Sequence, residues 1–192
     1  MRLVLATRNP HKQREFSRLL HQHELEPLPE RFQLPPETGA TFAENALAKA
    51  RAAAAHTGAL AVADDSGIEA QALGGGPGVL SARYAGAGAT DAENLAKLLY
   101  KAPAGSRLTY VCAVAFVDPV TGAEQLFQGT CFGRLADRPR GGGGFGYDPA
   151  FMPDEGEGGE TMAEMSPERK DAISHRGSAI RQLAAWLEDR AR

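Results

Sequence analysis

Cysteine, tryptophan and lysine are scarce in this chain, and long apolar runs are absent. Two cysteines and one tryptophan occur among 192 residues. Cys112 and Cys131 fall inside apolar stretches that read as strands, which fits two buried thiols in an intracellular chain better than a structural bridge. No apolar run approaches the ~18 residues that span a bilayer, so no membrane partner is expected. Met1-Arg2-Leu3-Val4-Leu5 enters a strand directly, without the charged, apolar and small-residue regions of a signal peptide. A cytoplasmic location is the resulting expectation. A net charge of −3 provides no global positive field for a nucleic acid polymer. Any phosphate ligand must instead meet a local cluster of cations. Gly-x-x-x-x-Gly-Lys does not occur, which excludes a Walker A loop. Asp-x-Asp and Asp-x-Asn-x-Asp-Gly are also missing, which argues against a phosphoaspartate phosphatase and an EF-hand.

Of the 21 basic residues, 16 are Arg and 5 are Lys, and Asn occurs three times. Under such a bias, the surviving lysines and asparagines point to positions where their own chemistry is needed. With 43% hydrophobic and 23% charged residues, the chain has the composition of an ordinary globular enzyme. Its length suits one domain, over residues 1–192, with a sizeable core.

Apolar periodicity predicts a strand at Leu3–Ala6 and then a helix with Phe16, Leu19 and Leu20 on one face. A second strand is expected at Leu25–Leu28, followed by a proline-rich loop containing Pro29, Pro35 and Pro36. Thr41-Phe42-Ala43-Glu44 reads as a capping box for an alanine-rich helix ending at Thr57, with Gly58 as its stop. Ala59–Ala63 reads as a strand ending at the acidic turn Asp64-Asp65-Ser66-Gly67. A glycine-rich loop at 74–78 precedes a second capping box, Thr90-Asp91-Ala92-Glu93, and a helix to about Tyr100. Leu108–Val117 and Gln125–Phe132 read as an antiparallel pair around Asp118-Pro119-Val120-Thr121-Gly122. An acidic, glycine-rich surface loop is expected at 154–160. Ser166-Pro167-Glu168 reads as a helix start, and a last amphipathic helix carries Ile180, Leu183, Ala184 and Leu187. With no repeat and no linker, the pattern predicts an α/β domain with a mixed central sheet flanked by helices.

Four constellations carry chemistry. Thr7-x-Asn9-x-x-Lys12 lies between a strand and a helix, where N–H groups, helix dipole and Lys12 could meet a phosphate; a purely structural turn is the alternative. Asp64-Asp65-Ser66-Gly67 could place a carboxylate on Mg²⁺, which needs only one or two carboxylates besides substrate phosphates and water. Strand alternation argues against both aspartates serving one ion equally; the alternative is a turn in which Asp and Ser bond their own backbone. Lys170 and Ser174 have the spacing of one helix face, and His175 and Arg176 follow with donors for a base edge or an oxygen pair; a solvated helix junction is the alternative. Gly141 to Gly146 matches Gly-x-Gly-x-x-Gly, but Pro149 and no helical pattern follow, so a dinucleotide fold is rejected. A glycine hinge that presents Phe145 for stacking on a base is the functional reading, and a buried aromatic beside a loop is the alternative.

Taken together, the motifs resemble the inosine triphosphatase family, the non-standard purine nucleoside triphosphate (dITP/XTP) pyrophosphatases. The blocks are Thr7-x-Asn9-x-x-Lys12, Thr41-Phe42-x-Glu44-Asn45-Ala46-x-x-Lys49-Ala50 and Ala63-Asp64-Asp65-Ser66-Gly67. They continue with Ala72-Leu73-Gly74-Gly75-x-Pro77-Gly78, Ser81-Ala82-Arg83-Tyr84, Gly143-Gly144-Phe145-Gly146-Tyr147-Asp148-Pro149, Ala163-Glu164-Met165 and Lys170 with Ser174-His175-Arg176. They stand in family order and cover nearly the whole chain. The resemblance implies two lobes around an active-site cleft, a homodimer, Mg²⁺ as cofactor, and hydrolysis of ITP, dITP and XTP to monophosphate and pyrophosphate. It makes Asp65 the general base and a metal ligand, with Glu37 as second ligand and Asp64 as neighbour. Thr7, Arg8, Asn9, Pro10, His11 and Lys12 would cradle the phosphates, with Lys49 and Ser66 beside them. Phe145, Gly146, Tyr147, Asp148, Lys170, His175 and Arg176 would recognise the nucleoside. Arg8 departs from the glycine of many members and is expected to add charge near the phosphates. Three of the five lysines (Lys12, Lys49, Lys170) and two of the three asparagines (Asn9, Asn45) lie in these blocks. The competing readings are a nucleotide pyrophosphatase or phosphatase of other preference, and a silent nucleotide sensor.

Overall fold

Short-range signals set most element ends in the computed structural model, which describes residues 1–190. Strand β1 (Arg2–Leu5) leads into helix α1 (Pro10–Leu19), whose start is fixed by Asn9: its side chain accepts from the N–H groups of His11 and Lys12, and Pro10 fills the first helical position. After β2 (Glu24–Pro27), helix α2 (Phe42–Thr57) opens on Thr41, which accepts from Glu44 N, and stops at Gly58 with φ 66°. The Glu44 carboxylate passes over Thr41 and accepts from Ala40 N at 2.7 Å, so the expected box closes one residue upstream. Strand β3 (Ala61–Ala70) follows, then α3 (Asp91–Lys101), which starts in a complete Thr90–Glu93 capping box.

Strands β4 (Arg107–Val117) and β5 (Glu124–Leu135) are joined by a six-residue turn, too short for a parallel crossover. Asp118 N–H donates to Ala123 O at one end and Leu135 N–H to Ser106 O at the other, each at 2.9 Å, as an antiparallel pair requires. Strand β6 (Phe151–Pro153), α4 (Pro167–Ile173) and α5 (His175–Arg190) complete the described residues. The sheet order is β2-β1-β3-β4-β5-β6, with β1 parallel to both neighbours and β6 antiparallel to β5. The mixed α/β sheet read from the sequence is the observed one.

Two compact units are present, each assembled from segments remote in sequence. The first comprises Met1–Asp65, Cys112–Gly129 and the chain from Arg176; the second comprises Ser66–Val111 and Thr130–His175. In the first, Leu3, Leu5, Val62, Val114 and Phe116 from the strands bury against Phe16 of α1, Leu20 at its C-cap, and Ile180, Leu183 and Leu187 of α5. In the second, Ile68, Leu108 and Leu135 bury with Leu95 and Leu98 of α3, Phe151 and Met162. Burying such Leu, Ile and Phe side chains stabilises by about 1.5–3 kcal/mol each.

Two expectations are corrected. Asp64-Asp65-Ser66-Gly67 is not a turn after the strand: β3 runs through it to Ala70. The strand ladder satisfies the backbone there, and the carboxylates find partners off the strand, so no turn closed by its own side chains is needed. Lys170 and Ser174 also do not share a helix face. Helix α4 ends at Ile173, and Ser174 is extended (φ −69°, ψ 153°) before α5 begins. The Ser174 N–H still closes onto Lys170 O at 2.8 Å, so the last turn is complete before the chain breaks direction.

Candidate active site

In the first unit, the period-two alternation of β3 sends its adjacent aspartates to different partners. Asp64 shares the face of Val62, toward the core under α1 and α5. It is 1% exposed. Lys12 Nζ lies 2.9 Å from its Oδ2, and Arg176 Nε and Nη2 each donate to that oxygen at 3.2 Å. Arg176 Nη1 donates to Glu15, another buried carboxylate, which makes a chain of alternating charge from Glu15 through Arg176 and Asp64 to Lys12. Burial alone would push the Asp64 carboxyl up; the charges of Lys12, Arg176 and Lys49 reverse this and hold it well below the carboxylate range. Burial likewise opposes the Arg176 charge, and Asp64 and Glu15 overcome it.

Asp65 meets a different set. Asn45 of α2 donates to its Oδ2 at 2.9 Å, and Lys49 Nζ, one turn further, lies 3.7 Å from Oδ1 and 2.6 Å from Glu37 Oε1. Asn45 Oδ1 also accepts from Gly39 N at 2.8 Å, so one side chain both orients Asp65 and seats the loop after Glu37. A Cβ on Gly39 would stand 2.7 Å from that oxygen, which explains the glycine. Burial pushes the Asp65 carboxyl up, and Glu37 adds to the rise against Lys49, Lys12 and Asn45. Burial would push the Lys49 ammonium down, but Asp64, Asp65 and Glu37 hold it up.

The donor chemistry fits a hard cation. Asp65 and Glu37 supply carboxylate oxygens close enough for Glu37 to raise the Asp65 carboxyl and to share one ammonium with it. Among the described residues no group of three or more His, Cys, Asp or Glu forms a metal cage. A magnesium ion here would therefore complete its shell with substrate oxygens and water.

The turn before α1 differs from expectation in two respects. Thr7 Oγ1 accepts from Asn9 N, and Asn9 Oδ1 takes the N–H groups of His11 and Lys12. The first-turn amides expected to meet a phosphate are thus capped internally; the helix dipole, Thr7 and Lys12 remain to attract an anion. Pro10 is exposed, and the His11 ring lies 2.9 Å from Arg14 Nη2. Arg8 does not project charge into this turn. Its guanidinium donates to the carbonyls of Leu28, Pro29, Glu30 and Phe32, because the proline-rich loop presents several backbone acceptors that no strand or helix pairs.

In the second unit, the glycine run is packed rather than hinged: Gly143 N–H donates to Ala163 O at 2.9 Å. Gly144 has φ 66°, and a Cβ there would meet Asp148 Oδ2 at 2.1 Å. That space belongs to the Asp148 carboxylate, which accepts from Phe145 N at 2.8 Å, Lys170 Nζ at 2.6 Å and Tyr110 Oη at 3.1 Å. Lys170 also stands 5.0 Å over the half-buried Phe145 ring, a cation–π contact. Gly146 N–H donates to Asp91, and the Tyr147 hydroxyl donates to Ser81 O. His175 is buried, its ring stacked 4.4 Å from Tyr110. Ser66 is half-buried and follows Asp65 in β3.

The structure thus gathers Lys12, Lys49, Glu37, Asp64, Asp65 and Arg176 in the first unit, and Phe145, Asp148, Lys170 and His175 in the second. Arg176, expected to read a base with His175, has its guanidinium on Asp64 and Glu15. Sequence reasoning assigned no role to three residues. Glu15 left one signal, a carboxylate beside Phe16 on the apolar side of α1. Asn45 left another, as one of three asparagines. Tyr110, inside an apolar strand, left none.

Fold and site define a mixed-sheet α/β protein in which adjacent buried carboxylates are matched to lysines and aromatic, acidic and cationic groups converge on a glycine turn. Known proteins are similar to it over nearly the whole chain. A model of the Ham1 family matches residues 3–186, and the chain belongs to that family. It is 47% identical to a dITP/XTP pyrophosphatase of Mycolicibacterium paratuberculosis, over 99% of this chain and 97% of that one. The solved structure of a HAM1 protein from Coxiella burnetii superposes with a TM-score of 0.88 at 40% identity, covering 98% of this chain and 99% of that one. The Ham1 protein of Staphylococcus aureus gives 0.85 at 38% identity, covering 99% and 100%.

Proposed function

We propose that this protein hydrolyses non-standard purine nucleoside triphosphates (ITP, dITP and XTP) to the monophosphate and pyrophosphate, removing deaminated purines from the cytoplasmic nucleotide pool. The observation that carries the reading is Asp65: a buried carboxylate oriented by Asn45 and sharing the Lys49 ammonium with Glu37. The dITP/XTP pyrophosphatase name of the mycobacterial relative supports the substrate class.

Asp65 orients and deprotonates a water for attack at the α-phosphorus, and its rise above the ordinary carboxyl value makes it a better base. Asp65 and Glu37 would hold Mg²⁺, which when bound supplies charge neutralisation for the triphosphate. Lys12 and Lys49 compensate the charge of the departing pyrophosphate, with Thr7 and Asn9 framing the phosphates. Phe145, Asp148, Lys170 and His175 are assigned the nucleoside. A buried donor aimed at a 6-oxo group is left unsatisfied by the 6-amino group of adenine, which disfavours ATP. Arg176 contributes by fixing Asp64 and Glu15. A homodimer belongs to the same reading, and the exposed Phe132 ring is apolar surface of the kind such a dimer covers.

The test is incubation with Mg²⁺ and ITP, dITP, XTP, GTP or ATP, with pyrophosphate and orthophosphate measured separately. Pyrophosphate is expected first, from ITP, dITP and XTP. Orthophosphate as first product, or no turnover, would sink the proposal. Asp65→Asn should bind nucleotide and turn it over at least 100-fold more slowly, as expected when a general base is lost.

A further inference from the structure

Tyr110 is 5% exposed in β4, so it meets its neighbours as an interior side chain. Its ring stacks nearly parallel on the His175 imidazole, at 4.4 Å and 10°, and is stacked against Phe151 at 4.3 Å and 29°. Its hydroxyl donates to Asp148 Oδ1 at 3.1 Å. The other Asp148 oxygen takes the Lys170 ammonium and the Phe145 N–H. One side chain therefore holds two residues assigned to the nucleoside, through two different parts of itself.

We propose that Tyr110 is a positioning residue for nucleoside recognition, its ring face setting the plane of His175 and its hydroxyl setting the Asp148 carboxylate that anchors Lys170 and the Phe145 turn. The proposal rests on the reading that His175 and Asp148 serve the nucleoside. Stacking fixes the tilt of an imidazole through its ring face and does not itself engage the two edge nitrogens. A hydrogen bond to one carboxylate oxygen leaves the second for the ammonium and the amide, so Asp148 is held from both sides. Phe151 backs the Tyr110 ring, which keeps the imidazole plane from relaxing toward it.

The two functions reside in different atoms, so substitutions separate them. Tyr110→Phe removes the hydroxyl and keeps the stack; Tyr110→Leu removes both. For Tyr110→Phe, KM for ITP should rise about 10-fold with kcat within about 3-fold, because a charge-assisted hydrogen bond is lost while the hydrolytic residues stay in place. His175 ring-proton resonances should keep their ring-current shift in Tyr110→Phe and lose it in Tyr110→Leu. Tyr110→Leu should in addition lower the ITP-over-ATP ratio of kcat/KM by about 10-fold, the effect of misaligning one discriminating group. An unchanged KM in folded Tyr110→Phe overturns the proposal, as does an equal loss of kcat for ITP and ATP in both variants, which marks packing alone. Should Tyr110→Leu fail to fold, the KM of Tyr110→Phe decides. His175→Ala and Asp148→Asn are measured in parallel. If they alter KM or selectivity and the Tyr110 variants do not, the Tyr110 role fails alone; if they too leave both unchanged, the nucleoside assignment fails and the Tyr110 role with it.

Discussion

Replacing Asp64 by Asn keeps the shape of the side chain and removes one charge from a buried ionic chain. Glu15, Arg176, Asp64 and Lys12 alternate in sign and sum to zero; the variant leaves an excess of one positive charge. Arg176 is 2% exposed and Asp64 1%, so water replaces little of the lost interaction. Removing one member of a buried pair costs about 3–5 kcal/mol. Arg176 retains Glu15, the new amide oxygen still accepts a hydrogen bond, and the Lys12 side chain is 14% exposed and can find water, which places the expectation near the lower end, about 3 kcal/mol. With a urea slope of about 2–3 kcal/mol/M, the midpoint should fall by about 1–1.5 M. Trp186, the sole tryptophan, packs edge-on against Phe116 and Phe127 in the same unit, so its fluorescence reports the transition. The sign of the pH dependence also follows. The folded Asp64 carboxyl is held below its ordinary value of 3.8, so its contribution is complete above that value and is lost as pH falls toward the folded pKa. The gap between wild type and Asp64→Asn should be full at pH 7 and shrink below about pH 4. A gap under about 1 kcal/mol at pH 7, far short of the cost of a broken buried pair, would refute the reasoning. So would a gap unchanged between pH 7 and pH 3.

Two further outcomes are expected. Cys112 and Cys131 are free and buried, and burial, with nearby carboxylate charge, pushes each thiol up to about 12; a thiol reagent at pH 8 should find neither in the native protein and both after denaturation. Arg8→Ala should speed amide exchange over residues 28–34 while changing ITP turnover less than about 3-fold, since only loop carbonyls lose a partner; a turnover loss above 10-fold would instead place Arg8 at the substrate.

Local chemistry was legible where a residue acts on its own neighbourhood. Thr41, Thr90 and Ser166 each cap a helix as their spacing indicated, because a cap depends on three or four adjacent residues. Arg8 and Glu44 were misread for the opposite reason: their long side chains chose backbone acceptors or donors that only the folded chain brings near. The Gly141–Gly144 run was visible as a loop, but not that Ala163, remote in sequence, would pack it.

The acidic pair illustrates the same division. The sequence by itself determined the mixed α/β sheet, the family, and the separation of Asp64 from Asp65, since strand residues alternate in direction whatever surrounds them. Tertiary structure alone decided their company: Lys12 and Arg176, 164 positions apart by their numbers, close on Asp64, while Asn45 and Lys49 hold Asp65. A side chain's periodicity is set by its own backbone. Its partners, and with them its charge state, are set by which distant helices the core packs against that face.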